Sequence, residues 1–152
     1  MIYPIFRDIL YKNETLPIQI LSQDLAESTV HNVPYAVISI TNSLKYNTPN
    51  IPRNPNRKGV LKLEFADVEE GSSAFTDDQA SQIVKFVEEQ INNEIKILVI
   101  HCTMGMSRSA GIGAAISKAL NRQDDLFYRY YRPNSICFRK TLDAFYGAGY
   151  FD

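Results

Sequence analysis

The chain is poor in the residues that betray many functions by composition alone. It holds two cysteines and two histidines in 152 residues. So few cysteines fit a reducing, intracellular setting, and a cytoplasmic location is the expectation. The cysteines and histidines show no ligand spacing, so no metal and no other cofactor is expected. Net charge is −1, which gives no bulk attraction for nucleic acid or an anionic membrane. Neither is expected as a partner. No run of 18 apolar residues occurs, which argues against a membrane span. Met1-Ile2-Tyr3-Pro4-Ile5-Phe6-Arg7-Asp8 has no basic stretch followed by an apolar core, which argues against a signal peptide. Internal repeats and low-complexity tracts are absent. What remains is ordinary for a soluble protein, with 45% apolar and 22% charged residues. The length suits one domain over residues 1–152 with a full core, most simply a monomer.

Strand and helix signals alternate. Pro17 to Leu21 reads as a strand, and Ser22 caps a helix from Gln23 to about His31. Pro34 to Ile40 is β-rich. Residues 42–59 are rich in Asn, Pro, Lys and Arg and read as a long loop. Its Lys45, Arg53, Arg57 and Lys58 either recognise substrate or form a solvated, flexible surface. Val60 to Phe65 is the next strand. Thr76 and Gln79 form a capping box for a helix to about Asn92. Ile83, Phe86, Val87 and Ile91 make its apolar face. Ile95 to Ile100 is the most continuous apolar run, as a central buried strand requires. Helices are expected at about 108–121, 123–131 and 136–147. The fold class is therefore α/β: a central, mostly parallel sheet with helices on both faces. Ligands in such sheets bind at the carboxyl ends of the strands.

The most informative stretch lies there. Residues 101–109 read His-Cys-Thr-Met-Gly-Met-Ser-Arg-Ser, between the central strand and a helix of small residues. A helix start exposes N–H groups and the positive end of the helix dipole. An anion docks there readily, and a loop of convergent amides shares the preference. Gly105 gives the loop freedom to curl. Arg108 offers a planar fork to two phosphate oxygens. A thiol at a helix start beside an arginine has a depressed pKa. Cys102 is then a thiolate nucleophile over a tetrahedral oxyanion site. Ser107 and Ser109 offer hydroxyls to the departing sulfur. The chemistry implied is attack of sulfur on a bound phosphoryl group, giving a cysteinyl-phosphate.

These residues resemble the signature loop of the cysteine-dependent protein tyrosine phosphatases, in the form of the compact dual-specificity branch. Tyr131-Arg132-Pro133-Asn134-Ser135-Ile136-Cys137-Phe138 is similar to the Arg-Pro-Asn…Phe segment that follows the loop in that branch. Val37 to Thr41 and Leu61 to Asp67 also resemble a microbial or viral short-chain version. The resemblance implies Cys102 as nucleophile and Arg108 as phosphate binder and transition-state stabiliser. The amides of Thr103, Met104, Gly105, Met106, Ser107 and Arg108 would line the phosphate cradle. Ser109 would assist breakdown of the phospho-enzyme, His101 would orient the loop, and Asn134 would brace it from outside. The expected substrate is a phosphorylated protein or peptide carrying phosphotyrosine, with phosphoserine and phosphothreonine as further targets. An alternative is a catalytically weak phosphate-binding module that recognises phosphoproteins. Arsenate reduction uses similar loop chemistry but needs further thiols, and Cys137 is the only spare one.

The leaving oxygen needs a proton, which a carboxylic acid can supply. Asp67 is the candidate. It sits just past a strand, 35 positions before Cys102, on the rim where the strands end. Glu69, Glu70, Asp77 and Asp78 are rivals, although Asp77 and Asp78 fit the first turn of a capped helix. Cys137 is either a resolving thiol for an oxidised Cys102 or, as its apolar neighbours favour, a packed residue. His31 reads as a helix-end residue satisfying a carbonyl, and Tyr128, Tyr130 and Tyr131 as packing residues. Positions 103–107 carry no positive charge, which argues against a highly anionic inositol headgroup.

Overall fold

Seven consecutive buried residues, Tyr35–Thr41, form the middle of the sheet. β-branched and aromatic side chains dominate them, and burial on both sides is the mark of a central parallel strand. A computed structural model describes residues 15–149. The N-terminal residues 1–8 that bear on targeting lie outside the described residues. The elements run β1 (Ile18–Ser22), α1 (Gln23–Ala26), β2 (Tyr35–Thr41), β3 (Arg57–Glu64), α2 (Asp77–Asn92), β4 (Ile97–Cys102), α3 (Arg108–Asn121), α4 (Asp125–Tyr130) and α5 (Ser135–Gly147). The sheet order is β1-β4-β2-β3, and every pairing is parallel. The α/β architecture matches the expectation.

The two faces of the sheet are covered differently. Ala36, Ile38, Ile40, Leu98 and Ile100 pack into one large core with Ile83, Val87, Ile112, Ile116 and Phe145 of the long helices. Each Val, Leu, Ile or Phe among them contributes about 1.5–3 kcal/mol by leaving water. Tyr35, Val37 and Val99 form a smaller cluster with Leu21, Ile51, Val60 and Ile97. Ile51 comes from the long loop, so that loop is a cover for the sheet and not a free excursion.

Helix α2 is built as its sequence dictates. Thr76 Oγ1 accepts from Gln79 N at 3.1 Å, and Gln79 Oε1 accepts from Thr76 N at 3.0 Å. Asp77 and Asp78 occupy the first turn. Helix α1 departs from expectation, ending at Ala26 rather than near His31. The Ser28 and Thr29 hydroxyls donate to the carbonyl of Leu25, at 3.2 and 2.6 Å. Side chains that bond nearby carbonyls compete with helix propagation. His31 is consequently not a helix-end residue. Its Nε2 bonds Gln19 Oε1 at 2.8 Å, and its ring packs edge-on against Tyr35.

Strand β3 begins at Arg57, three residues earlier than the apolar run suggests. Register with Tyr35 and bonds from Arg57 Nη1 to the Ile51 and Pro52 carbonyls, at 2.9 and 2.8 Å, hold that start. Strand β4 runs two residues past the apolar run and ends on Cys102. Among the described residues no helix is long and apolar enough to cross a membrane.

Candidate active site

Strand β4 lies inside the sheet and delivers His101 and Cys102 to its carboxyl edge. The chain then curls through residues 103–107 into α3. Gly105 sits at φ +68°, and a Cβ there would lie 2.5 Å from Ser22 N and 2.6 Å from Leu21 C. Only glycine lets the loop press so closely on the end of β1. Gln23 N donates to Thr103 O at 3.2 Å and fixes the same junction. Ser107 is the N-cap of α3 but makes no side-chain capping bond. The amides of the first turn are left to other acceptors.

Cys102 is 2% exposed. Burial pushes its thiol up. Hydrogen bonds from the Ser109 hydroxyl and from the amides of Ser109, Gly105 and Met106 outweigh that, so the net shift is downward. Cys102 Sγ and Ser109 Oγ are 3.0 Å apart. Of the two candidate hydroxyls, it is Ser109 that reaches the sulfur. Ser107 Oγ instead donates to Asp67 Oδ1 at 2.9 Å.

Arg108 is 5% exposed. Its Nη1 donates to Asn42 Oδ1 at 2.6 Å and to Phe65 O at 2.8 Å, and its Nη2 to Thr103 Oγ1 at 3.2 Å. The guanidinium also lies 6.0 Å from the centre of the Phe65 ring. The fork is thus clamped by the ends of β2 and β3 before any ligand arrives, which reduces the ordering cost of binding.

Asp67 follows β3 and lines the same cavity as Cys102. That cavity, of about 380 Å³, is bounded by Asp67, Cys102, Met104, Met106, Ser107, Arg108 and Arg132. Asn134 Nδ2 donates to Asp67 Oδ1 at 3.0 Å and to Val68 O at 3.2 Å. Asn134 N also donates to Ser107 O at 2.9 Å. Three of the four rival acids are engaged elsewhere. Glu69 accepts from Ser135 Oγ at 2.7 Å, Asp77 pairs with Lys140 at 3.6 Å, and Asp78 accepts from Gln82 Nε2 at 3.1 Å.

His101 is fully buried, and burial pushes its imidazole pKa down. Its Nε2 meets Ser39 Oγ at 2.6 Å and its Nδ1 faces Cys102 O at 3.3 Å. Cys137, at the start of α5, is also fully buried. Burial first, and then the Asp67 charge, push its thiol up. That environment matches a packed residue. Among the described residues no group of three or more His, Cys, Asp and Glu side chains could hold a metal ion.

Three residues of this site escaped the sequence: Asn42, Ser39 and Arg132. Asn42 had one available signal. It directly follows β2, so it emerges at the same sheet edge as Cys102.

No family model and no curated protein matches the sequence. Solved structures do match in fold. One is a mouse protein assigned as a dual specificity phosphatase, complexed with zinc tungstate. It shares 16% identity over 83% of this chain and 80% of that one, with a TM-score of 0.60. A second is PTPMT1, at 15% identity, 87% and 91% coverage and a TM-score of 0.55. A third is the human tyrosine phosphatase-like serine/threonine/tyrosine-interacting protein, at 21% identity, 80% and 81% coverage and a TM-score of 0.53. The chain has the fold these proteins share.

Proposed function

We propose that this chain, as a single domain over residues 1–152, is a phosphatase of phosphorylated proteins. Its substrate class is phosphotyrosine, with phosphoserine and phosphothreonine as further targets, and it works through a cysteinyl-phosphate. One observation carries the reading. The Cys102 sulfur, its pKa held down and Ser109 Oγ 3.0 Å away, shares one cavity with Asp67 and Arg108.

The chemistry follows from those positions. The loop amides and Arg108 hold the non-bridging phosphate oxygens and stabilise the charge that spreads over them in the transition state. The Cys102 thiolate attacks phosphorus, and the bond from phosphorus to the leaving oxygen breaks. Asp67, as the acid, gives its proton to that oxygen. Water then attacks the phosphocysteine with Asp67, now a carboxylate, taking its proton. The S–P bond breaks, Ser109 donates to the departing sulfur, and inorganic phosphate leaves. Met104 and Met106, 75% and 40% exposed, give the mouth apolar lips suited to an aryl ring. Lysine is absent from positions 103–107, which favours a phosphoprotein over a highly anionic headgroup.

A phosphate-binding module would need the cradle alone. The activated sulfur and an Asp67 carboxyl lining the same cavity favour hydrolysis. Rapid-quench experiments should trap phosphate on Cys102, and Cys102→Ser should abolish turnover of para-nitrophenyl phosphate. Full turnover in Cys102→Ser would end the proposal.

A further inference from the structure

A second cleft lies behind the site, on the face of the sheet that the long loop covers. It encloses about 500 Å³ and is lined by Thr48, Pro49, Asn50, Ile51, Arg53, Arg57, Val60 and Lys62. Three of these residues are cations and none is an acid. Arg57 is fixed by its bonds to the Ile51 and Pro52 carbonyls. Among the described residues, no carboxylate pairs with Arg53, Arg57 or Lys62. The nearby acids are turned to other tasks. Glu27 Oε2 accepts from Asn50 N at 2.7 Å, and Glu64 Oε2 accepts from Leu44 N at 2.9 Å. Three positive charges with no ion-pair partner among the described residues line one concavity, an arrangement that attracts anions.

The cleft is joined to the active site by two short pieces of chain. Residues 42–48 run from Asn42, which holds Arg108, to Thr48 on the cleft wall. Residues 62–65 run from Lys62 to Phe65, whose carbonyl also holds Arg108. Three strand residues at about 3.3 Å each place Lys62 roughly 10 Å behind Phe65. An extended peptide covers that distance in a few residues.

We propose that this cleft is an exosite for an acidic segment of the phosphorylated protein whose phosphate enters the Cys102 cavity. The inference rests on the phosphatase reading above. No aromatic side chain lines the cleft, so nothing there stacks on a nucleobase. Its concave, polar form suits a peptide rather than a lipid surface.

The test compares two phosphotyrosine peptides that differ only in a tail starting about five residues from the phosphate, four glutamates in one and four glutamines in the other. At low salt the wild type should show a kcat/KM about tenfold higher for the glutamate tail, from ion pairs of ordinary surface strength. The preference should shrink as salt rises. The double variant Arg53→Ala/Lys62→Ala, changed only at exposed positions, should bring the ratio near one. Equal kcat/KM for the two peptides in the wild type, or an unchanged ratio in the double variant, overturns the exosite. Binding of phosphatidylserine vesicles with no preference between the peptides overturns it as well. If neither peptide nor para-nitrophenyl phosphate is turned over, the phosphatase reading falls by itself. The cleft is then read by fluorescence anisotropy with the glutamate tail alone. Binding lost in the double variant supports the site, and equal binding by both proteins refutes it.

Discussion

Asn134 Nδ2 donates to Asp67 Oδ1 at 3.0 Å, across 67 positions of sequence. The other end of the same amide accepts from the Ile136 and Cys137 amides, each at 3.0 Å, and so caps α5. One side chain therefore starts a helix and aims the candidate acid. Asn134→Ala should cost about 1 kcal/mol of stability through the lost cap, and lower kcat while leaving KM for para-nitrophenyl phosphate nearly unchanged. In an Asp67→Asn background the same change should have little further effect on kcat, because the two residues act as one unit. Multiplied losses in the double variant would contradict the coupling.

Asp67→Asn should itself lower turnover by roughly 10²–10⁴-fold. The loss should grow as the leaving group becomes more basic, since a poor leaving group needs the proton most. Steady-state rates over a series of aryl phosphates measure this. A loss independent of leaving group would assign Asp67 a structural task.

Ser109→Ala should raise the Cys102 pKa. Burial alone pushes that thiol up, and the Ser109 hydroxyl is among the donors that reverse it. With one donor removed, burial regains ground. Thiolate absorbance should then titrate at higher pH, and the acid limb of kcat/KM should shift the same way. An unmoved midpoint would show that the backbone amides suffice.

Gly105→Ala should strike fold and site together. The new methyl would lie 2.5 Å from Ser22 N with φ at +68°, a strain of at least about 1 kcal/mol. Melting temperature and vanadate affinity should both fall. Gly147→Ala is the control, since nothing lies within 4 Å of its Cβ position. In a helix that change should stabilise by about 0.5–1 kcal/mol.

His101 makes stability depend on pH with a definite sign. Its folded pKa is lowered below 6.5, chiefly by burial. The native state then binds fewer protons than the unfolded chain just below that pH. The stability contribution is complete above about pH 6.5 and is lost as pH falls through the folded value. Melting curves taken from about pH 7.5 downward should show the decline. In His101→Gln that part of the slope should vanish.

What the sequence revealed depended on the distance over which each fact was written. Thr76 and Gln79 are three residues apart, and their capping box marked the start of α2 correctly. The end of α1 was misread because Ser28 and Thr29 bond the carbonyl of Leu25, a choice that propensity does not register. The start of β3 was missed because Arg57 is placed by pairing with Tyr35 and by loop carbonyls. In the site, Cys102 and Ser109 are seven positions apart, so their partnership was visible. Asn42 is 66 positions from Arg108 and Ser39 is 62 from His101, and nothing local announces either pair.

The order of residues from His101 to Ser109 already determined a strand end, a glycine curl and a helix start around the Cys102 sulfur, the arrangement from which an anion cradle is proposed. Composition added that the core would be ordinary and the surface nearly neutral. Folding decided which carboxylate shares a cavity with that sulfur, what clamps Arg108, and which cations share the cleft behind it. Those outcomes depend on β2, β3 and β4 ending along one sheet edge and on a loop lying across the opposite face. Both are products of parallel pairing between segments far apart in the chain.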